Sequence, residues 1–204
     1  MTHRPTHVVF DIGNVLVGWD PLVLYRKVFG GDEEKARWFL DNICTPAWNI
    51  EQDRGRSFAE AVRVLSAEHP KWAREIAAYD ERWHETVTGP IDGAVKVLEQ
   101  LHGQGAPVYA ITNWNDVKFA ETQARLTFLN LFRDVVVSAT ERVLKPDPEI
   151  FAILCRRNGL AAEDCVFIDD SLKNVHGAES AGMQAIHFTG PEALAAELRV
   201  FGLL

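Results

Sequence analysis

Apolar positions fall into two rhythms along this chain. Short unbroken runs at residues 8–10, 107–111, 135–137, 166–168 and 185–188 have the length and makeup of buried strands. Between them, apolar residues recur at three- and four-residue intervals and predict helices over 92–104, 116–126, 148–158, 174–181 and 192–201. Asp147 is placed to cap the third of these, Pro148 to open it and Gly159 to close it. Strands alternating with helices predict a doubly wound α/β fold, a parallel sheet covered on both faces.

Residues 19–88 break the alternation, with amphipathic helical patterns and no convincing strand. Asp32 can cap a helix running to Ile43, and Ser57 through Glu60 read as a capping box. Pro70 opens a further helix carrying Trp72, Ile76, Tyr79 and Trp83, a stripe read as packing. The polar stretch 49–56 between these helices reads as a specificity loop, in which Arg54 and Arg56 are solvated or pair with a second substrate anion. The division is therefore a core of residues 1–17 and 89–204 interrupted by a helical unit, 18–88, with Gly89-Pro90 marking the return.

Length and composition narrow the class further. With 204 residues, 47% hydrophobic and 25% charged, the chain has ordinary globular usage, which excludes disordered, collagen-like and coiled-coil classes. Its 29 acidic and 21 basic residues leave a net charge of -8, so nonspecific binding to nucleic acid or an anionic membrane is disfavoured. No apolar run approaches the roughly 20 residues of a membrane span, and the polar start of the chain is too short for a signal peptide. Cys44, Cys155 and Cys165 are odd in number and widely spaced; they read as buried thiols in a reducing compartment, and the expected location is cytoplasmic. His3 and His7 stand four apart, but Pro5 between them argues for a frayed terminus over a metal site.

Chemistry concentrates where the predicted strands end, the place where open parallel sheets bind ligands. Asp11-Ile12-Gly13-Asn14 follows the first run, Thr112-Asn113-Trp114 the second, Lys145-Pro146 comes beyond the third, and Asp169-Asp170-Ser171 follows the fourth with Asn174 beyond. Brought to one crevice, these supply three carboxylates, an ammonium, a hydroxyl and backbone N–H groups, a set suited to a metal ion and a phosphate. A carboxylate attacks phosphorus only when the repulsion between anions is neutralised, as Mg²⁺ does. Asp11 is the expected nucleophile, and Asp11, the Gly13 carbonyl and a carboxylate of Asp169 or Asp170 are the expected Mg²⁺ ligands. Lys145 would neutralise Asp11 and the phosphate; Thr112 and Asn113 either hold phosphate oxygens or cap the following helix. Trp19, Trp48 and Trp114 flank the crevice, as wall or as core.

In these four motifs the chain resembles the haloacid dehalogenase-like (HAD) superfamily, in the branch with a helical cap after the first motif. Phe-Asp-Ile-Gly-Asn-Val-Leu resembles its first motif, Ile-Thr-Asn its second, Leu-Lys-Pro-Asp-Pro its third and Phe-Ile-Asp-Asp-Ser its fourth. The resemblance implies an aspartyl-phosphate on Asp11, Asp170 as a direct Mg²⁺ ligand, Asp169 as a ligand directly or through water, and Asn174 orienting Lys145 or the acidic pair. It further implies a hydrolase of small phosphorylated metabolites with a cap that closes over its substrate; general frequency alone leaves a monomer or a homodimer. One departure is Gly13, where family phosphatases usually carry a second, proton-transferring Asp; a branch of sugar-phosphate phosphatases shares the Asp-x-Gly-Asn form. Asp20, Glu51 and Asp53 in the cap are candidates to replace it. Two other readings stay open: a metal-free 2-haloacid dehalogenase using Asp11, and a non-catalytic phosphometabolite sensor.

Overall fold

All five anticipated strands form and join one parallel sheet in the computed structural model, which describes residues 4–204. In chain order the elements begin with β1 (His7–Phe10), β2 (Val17–Trp19), α1 (Pro21–Val28), α2 (Glu33–Asn42), α3 (Pro46–Asp53), α4 (Phe58–Glu68), α5 (Ala73–Glu81) and β3 (Val87–Pro90). There follow α6 (Asp92–Gly103), β4 (Val108–Thr112), α7 (Asp116–Arg125), β5 (Val135–Val137), α8 (Ser138–Glu141) and α9 (Pro148–Asn158). The chain closes with β6 (Cys165–Asp169), α10 (Leu172–Ser180), β7 (Gln184–His187) and α11 (Pro191–Phe201).

The sheet order is β5-β4-β1-β6-β7, so β1 is central and the winding direction reverses between β1 and β6. Val8 stands level with Val108 on one side and Val166 on the other. The three inner strands β4, β1 and β6 are buried on both faces, which explains why their apolar runs show no alternation. Val8, Phe10, Val108, Ala110 and Ile168 face Leu98 and Leu101 of α6 and Leu194 and Leu198 of α11. Val9, Tyr109, Ile111 and Phe167 face Ile150, Phe151 and Leu154 of α9 and Ala178 of α10. The fold is thus the doubly wound α/β architecture expected.

Local chemistry sets the helix ends as anticipated at three places. Asp32 accepts the Lys35 N–H at 3.0 Å and Ser57 the Glu60 N–H at 3.2 Å. Asp147 accepts the Glu149 N–H at 3.0 Å ahead of Pro148, and Gly159 closes α9 at φ 64°.

Several expectations need correction. The region 19–88 does contain a strand boundary, since β2 and β3 pair antiparallel as the chain leaves and re-enters the sheet unit. Their three and four residues, with glycine in both and a proline in one, carry too little apolar pattern to register. The polar stretch 49–56 is not a loop throughout: α3 runs to Asp53, opened by a Thr45 cap on the Trp48 N–H at 3.1 Å and by Pro46. The helix predicted from Pro70 is instead a 3₁₀ turn over Pro70–Trp72, then α5, then a second turn over Trp83–Glu85. His7 is no frayed terminus, because it pairs with Cys165 in the sheet; His3 lies outside the described residues. Cys44 and Cys165 are buried as read, Cys155 is half-buried, and all three thiols are free. Among the described residues no helix is long and apolar enough to cross a membrane.

Candidate active site

Asp11 sits at the carboxyl end of the central strand, its N–H continuing the ladder to the Ile168 carbonyl at 2.8 Å. The chain then turns sharply. The N–H groups of Leu16 and Val17 return to the Ile12 carbonyl, and Asn14 takes a left-handed φ of 54° that asparagine tolerates better than most residues. The Asn14 side chain accepts the Trp19 N–H at 2.9 Å, tying this turn to β2.

Lys145 is brought to Asp11 by two clamps. The amide of Asn113 grips its peptide unit from both sides, accepting the Lys145 N–H at 2.8 Å and donating to its carbonyl at 3.1 Å. Behind it, α10 presses against Pro146, and Gly177 makes this approach possible: a Cβ there would stand 2.6 Å from the Pro146 carbonyl oxygen. Gly177→Ala is therefore expected to displace the 145–147 segment and destabilise the protein by about 1–3 kcal/mol. Urea unfolding checks this, and unchanged stability would show that α10 can shift freely.

So held, the Lys145 ammonium lies 2.7 Å from Asp11 Oδ1 and 2.7 Å from Asp169 Oδ2, its side chain 1% exposed. Asp169 is saturated: Oδ1 accepts from the Ser171 N–H at 2.8 Å and from Asn174 at 3.0 Å, while Oδ2 takes Lys145 and a second Asn174 contact at 3.1 Å. Asp170 stands beside it, exposed on the wall of a cavity of about 270 Å³ that Asp11, Gly13, Asn14 and Asn113 also line.

Electrostatics in this cluster are unbalanced. Carboxylate oxygens of Asp11, Asp169 and Asp170 lie within 4.8 Å of one another, so three carboxylates face one ammonium and two negative charges are in excess. Burial pushes the Asp11 carboxyl up to about 7, against the pull of Lys145 and with the help of the Asp169 charge. Asp170 is raised too, by its partial burial first and then by Asp169. Burial opposes the charge on Lys145, yet Asp11 and Asp169 together raise its pKa above the ordinary lysine value. A hard divalent cation supplies the missing two charges and suits an all-oxygen donor set, so these residues fit one.

The other expected residues divide. Thr112 closes β4 and is buried, and the helix cap is Asn115, accepting the Lys118 N–H at 3.2 Å, so neither Thr112 nor Asn113 serves as that cap. Trp19 and Trp114 line the cavity, whereas Trp48 packs edge-on against Phe58 and Tyr79. Trp83 lines it as well, although its helical spacing read as packing. Arg54 faces Glu51 at 3.8 Å, and Arg56 binds the Gln52 side chain at 2.7 Å; neither lines the cavity. The end of α3 reaches it through two tethers: Ser138 Oγ donates to the Asp53 carbonyl at 2.6 Å, and the Asn115 amide donates to the Gln52 carbonyl at 3.4 Å.

Comparison with known proteins agrees with this architecture. Residues 5–182 match the haloacid dehalogenase-like hydrolase family, and the chain belongs to it. Among relatives, a sesquiterpene phosphatase of Aspergillus oryzae is 29% identical over 195 residues, covering 94% of this chain and 93% of that one. A glyceraldehyde 3-phosphate phosphatase of Methanopyrus kandleri is 31% identical over 153 residues, 67% of this chain and 66% of that protein. A magnesium complex of a HAD family enzyme from Bacteroides thetaiotaomicron shares the fold at a TM-score of 0.76 and 21% identity, covering 96% of this chain and 99% of that one.

Proposed function

We propose that this hydrolase is a magnesium-dependent phosphatase of small phosphorylated metabolites, with Asp11 as nucleophile. The observation that carries the reading is the single lysine held between Asp11 and Asp169 beside a third carboxylate, at the strand ends where the winding reverses. Phosphatase relatives and a magnesium-bound structural neighbour support it.

In this reading Asp11, the Gly13 carbonyl and Asp170 would hold Mg²⁺, with Asp169 acting from behind because its oxygens are already engaged. When bound, magnesium supplies the charge neutralisation that lets one anion approach another. Lys145 holds Asp11 in line and neutralises charge building on the phosphoryl oxygens, while Thr112 and the Asn113 N–H bind those oxygens. Asp11 attacks phosphorus, the ester oxygen leaves, and water then hydrolyses the aspartyl-phosphate. Residues 18–88 act as the cap, closing on the core through the tethers of Gln52 and Asp53 and excluding bulk water while Asp11 reacts. The excess of carboxylates works against the dehalogenase alternative, since an anionic haloacid would enter without a cation to balance it.

Phosphate release from a panel of sugar phosphates, small phosphorylated acids and 4-nitrophenyl phosphate tests the reading. The expected result is release with Mg²⁺, none with EDTA, and recovery when Mg²⁺ is restored. Absence of release from every ester in Mg²⁺ would overturn it, and halide release indifferent to EDTA would establish the dehalogenase instead.

A further inference from the structure

Gly13 leaves the phosphatase reading without a proton carrier. Protonating a poor leaving oxygen, and later deprotonating water, needs a titratable group near the phosphorus, and glycine has none. The space beside the nucleophile is nevertheless open, because a Cβ built at Gly13 meets nothing within 4 Å. A group from another element can therefore enter.

Three acids of the helical segment are the candidates, and their surroundings separate them. Asp20 is spent as the cap of α1, accepting the Leu22 N–H at 2.8 Å. Glu51 is exposed, faces Arg54 at 3.8 Å, and does not line the cavity. Asp53 does line it, together with Asp11, Asn113 and Asp170. Among the described residues on that wall the titratable side chains are Asp11, Asp53 and Asp170 alone. With Asp11 assigned to attack and Asp170 to the cation, Asp53 is the one left over.

We propose that Asp53, delivered by the helical segment, carries the proton that the missing carboxyl at Gly13 would have carried, an inference that rests on the phosphatase reading. Its main chain is fixed by Ser138, which donates to its carbonyl at 2.6 Å, so the side chain is presented from an anchored helix end. Among the described residues the only side chain that donates to its carboxylate is Asn49, at a long 3.4 Å, and none of them forms an ion pair with it. Burial pushes it up to about 7, against a backbone hydrogen bond from Asn115, so both protonation states are accessible near neutral pH.

The steps balance. As the Asp11 oxygen bonds to phosphorus and the bond to the leaving oxygen breaks, the proton of Asp53 passes to that oxygen, which departs as a neutral alcohol. Asp53, now ionised, accepts a proton from the water whose oxygen bonds to phosphorus as the Asp11–phosphorus bond breaks. Inorganic phosphate, the Asp11 carboxylate and protonated Asp53 result.

The test compares kcat/KM for a primary alkyl phosphate, whose leaving oxygen needs a proton, with that for 4-nitrophenyl phosphate, whose leaving oxygen does not. In Asp53→Asn the aryl-to-alkyl ratio is expected to rise by about 10²-fold or more. Adding Gly13→Asp to that variant places a carboxyl in the open space and should bring the ratio back down. The ratio does not depend on how much of a variant is folded, so misfolding cannot imitate the effect. An unchanged ratio in Asp53→Asn, or one that Gly13→Asp fails to lower, would overturn the proposal and leave Asp53 as a tether of the helical segment. Absence of phosphate release by the wild type from either ester would overturn the phosphatase reading itself.

Discussion

Asp11→Asn is expected to reduce phosphate release to background while leaving the protein folded. The amide is a poor nucleophile, and it removes the anionic oxygen that the ammonium of Lys145 and a bound cation would both hold. In the proposed mechanism rate is lost because this atom forms the new bond to phosphorus, and Asp169 does not replace it because both of its oxygens are already engaged. Stability should barely fall. Burial already works against the charge of Asp11, and Lys145 keeps its contact with Asp169. Phosphate release alongside thermal unfolding checks both statements, and release near the wild-type rate would refute the nucleophile assignment.

Lys145→Ala should damage both rate and stability. The ammonium is the sole positive group among the cluster's described contacts, and its removal strands two buried carboxylates facing each other across the vacated position. Breaking a buried ion pair by deleting one partner costs about 3–5 kcal/mol. The turnover lost with the electrostatic donor is about 10²-fold or more. The ammonium also lies 5.3 Å over the Phe167 ring, a contact that any neutral replacement loses; Lys145→Met keeps the apolar stem that Ala removes and so separates the packing of the stem from the loss of charge. Urea unfolding and steady-state phosphate release measure them, and a Met variant as stable and active as the wild type would remove Lys145 from the site.

How far the sequence was readable follows from the geometry of parallel sheets. All carboxyl ends of such strands lie along one edge, so a polar residue following an apolar run can be assigned to that edge before any coordinates are known. Asp11, Asp169 and Asp170 are legible for this reason, Lys145, well beyond the end of β5, through the Leu144 and Pro146-Asp147-Pro148 that flank it, and the four do converge. The helical segment offers no such rule. Its helices are legible at Asp32 and Ser57, where a cap and an apolar stripe coincide, and are missed at α1, despite its Asp20 cap and buried Leu22, Leu24 and Tyr25, and at α3, whose polar Asn49, Glu51 and Gln52 resemble loop. That helix end is held by Ser138 and Asn115, residues some 60 to 85 positions away in the chain. Trp83 escaped for a related reason: the helix breaks at Arg82, so the spacing that placed it with Trp72 and Ile76 no longer describes one face. The Asn113 side chain was read through its backbone N–H, while its amide turned out to grip the Lys145 peptide, a pairing across 32 positions with no local signature.

The central position of β1 also governs how the site comes into being during synthesis. Its two neighbours arrive late, since Val8 pairs with Val108 and Val166, a hundred and more residues further along. A chain emerging from the ribosome therefore holds an apolar strand without either partner until β4 is out, and without the second until β6 is out. Closing such long loops is entropically slow, and an unpaired apolar strand is a hazard for self-association in the interval. The same delay would keep the proposed chemistry silent in nascent chains. Asp169 and Asp170 enter with the last residue of β6 and those that follow, so a ribosome-bound or truncated product lacking that strand carries Asp11 and Lys145 with no acidic pair to complete the pocket.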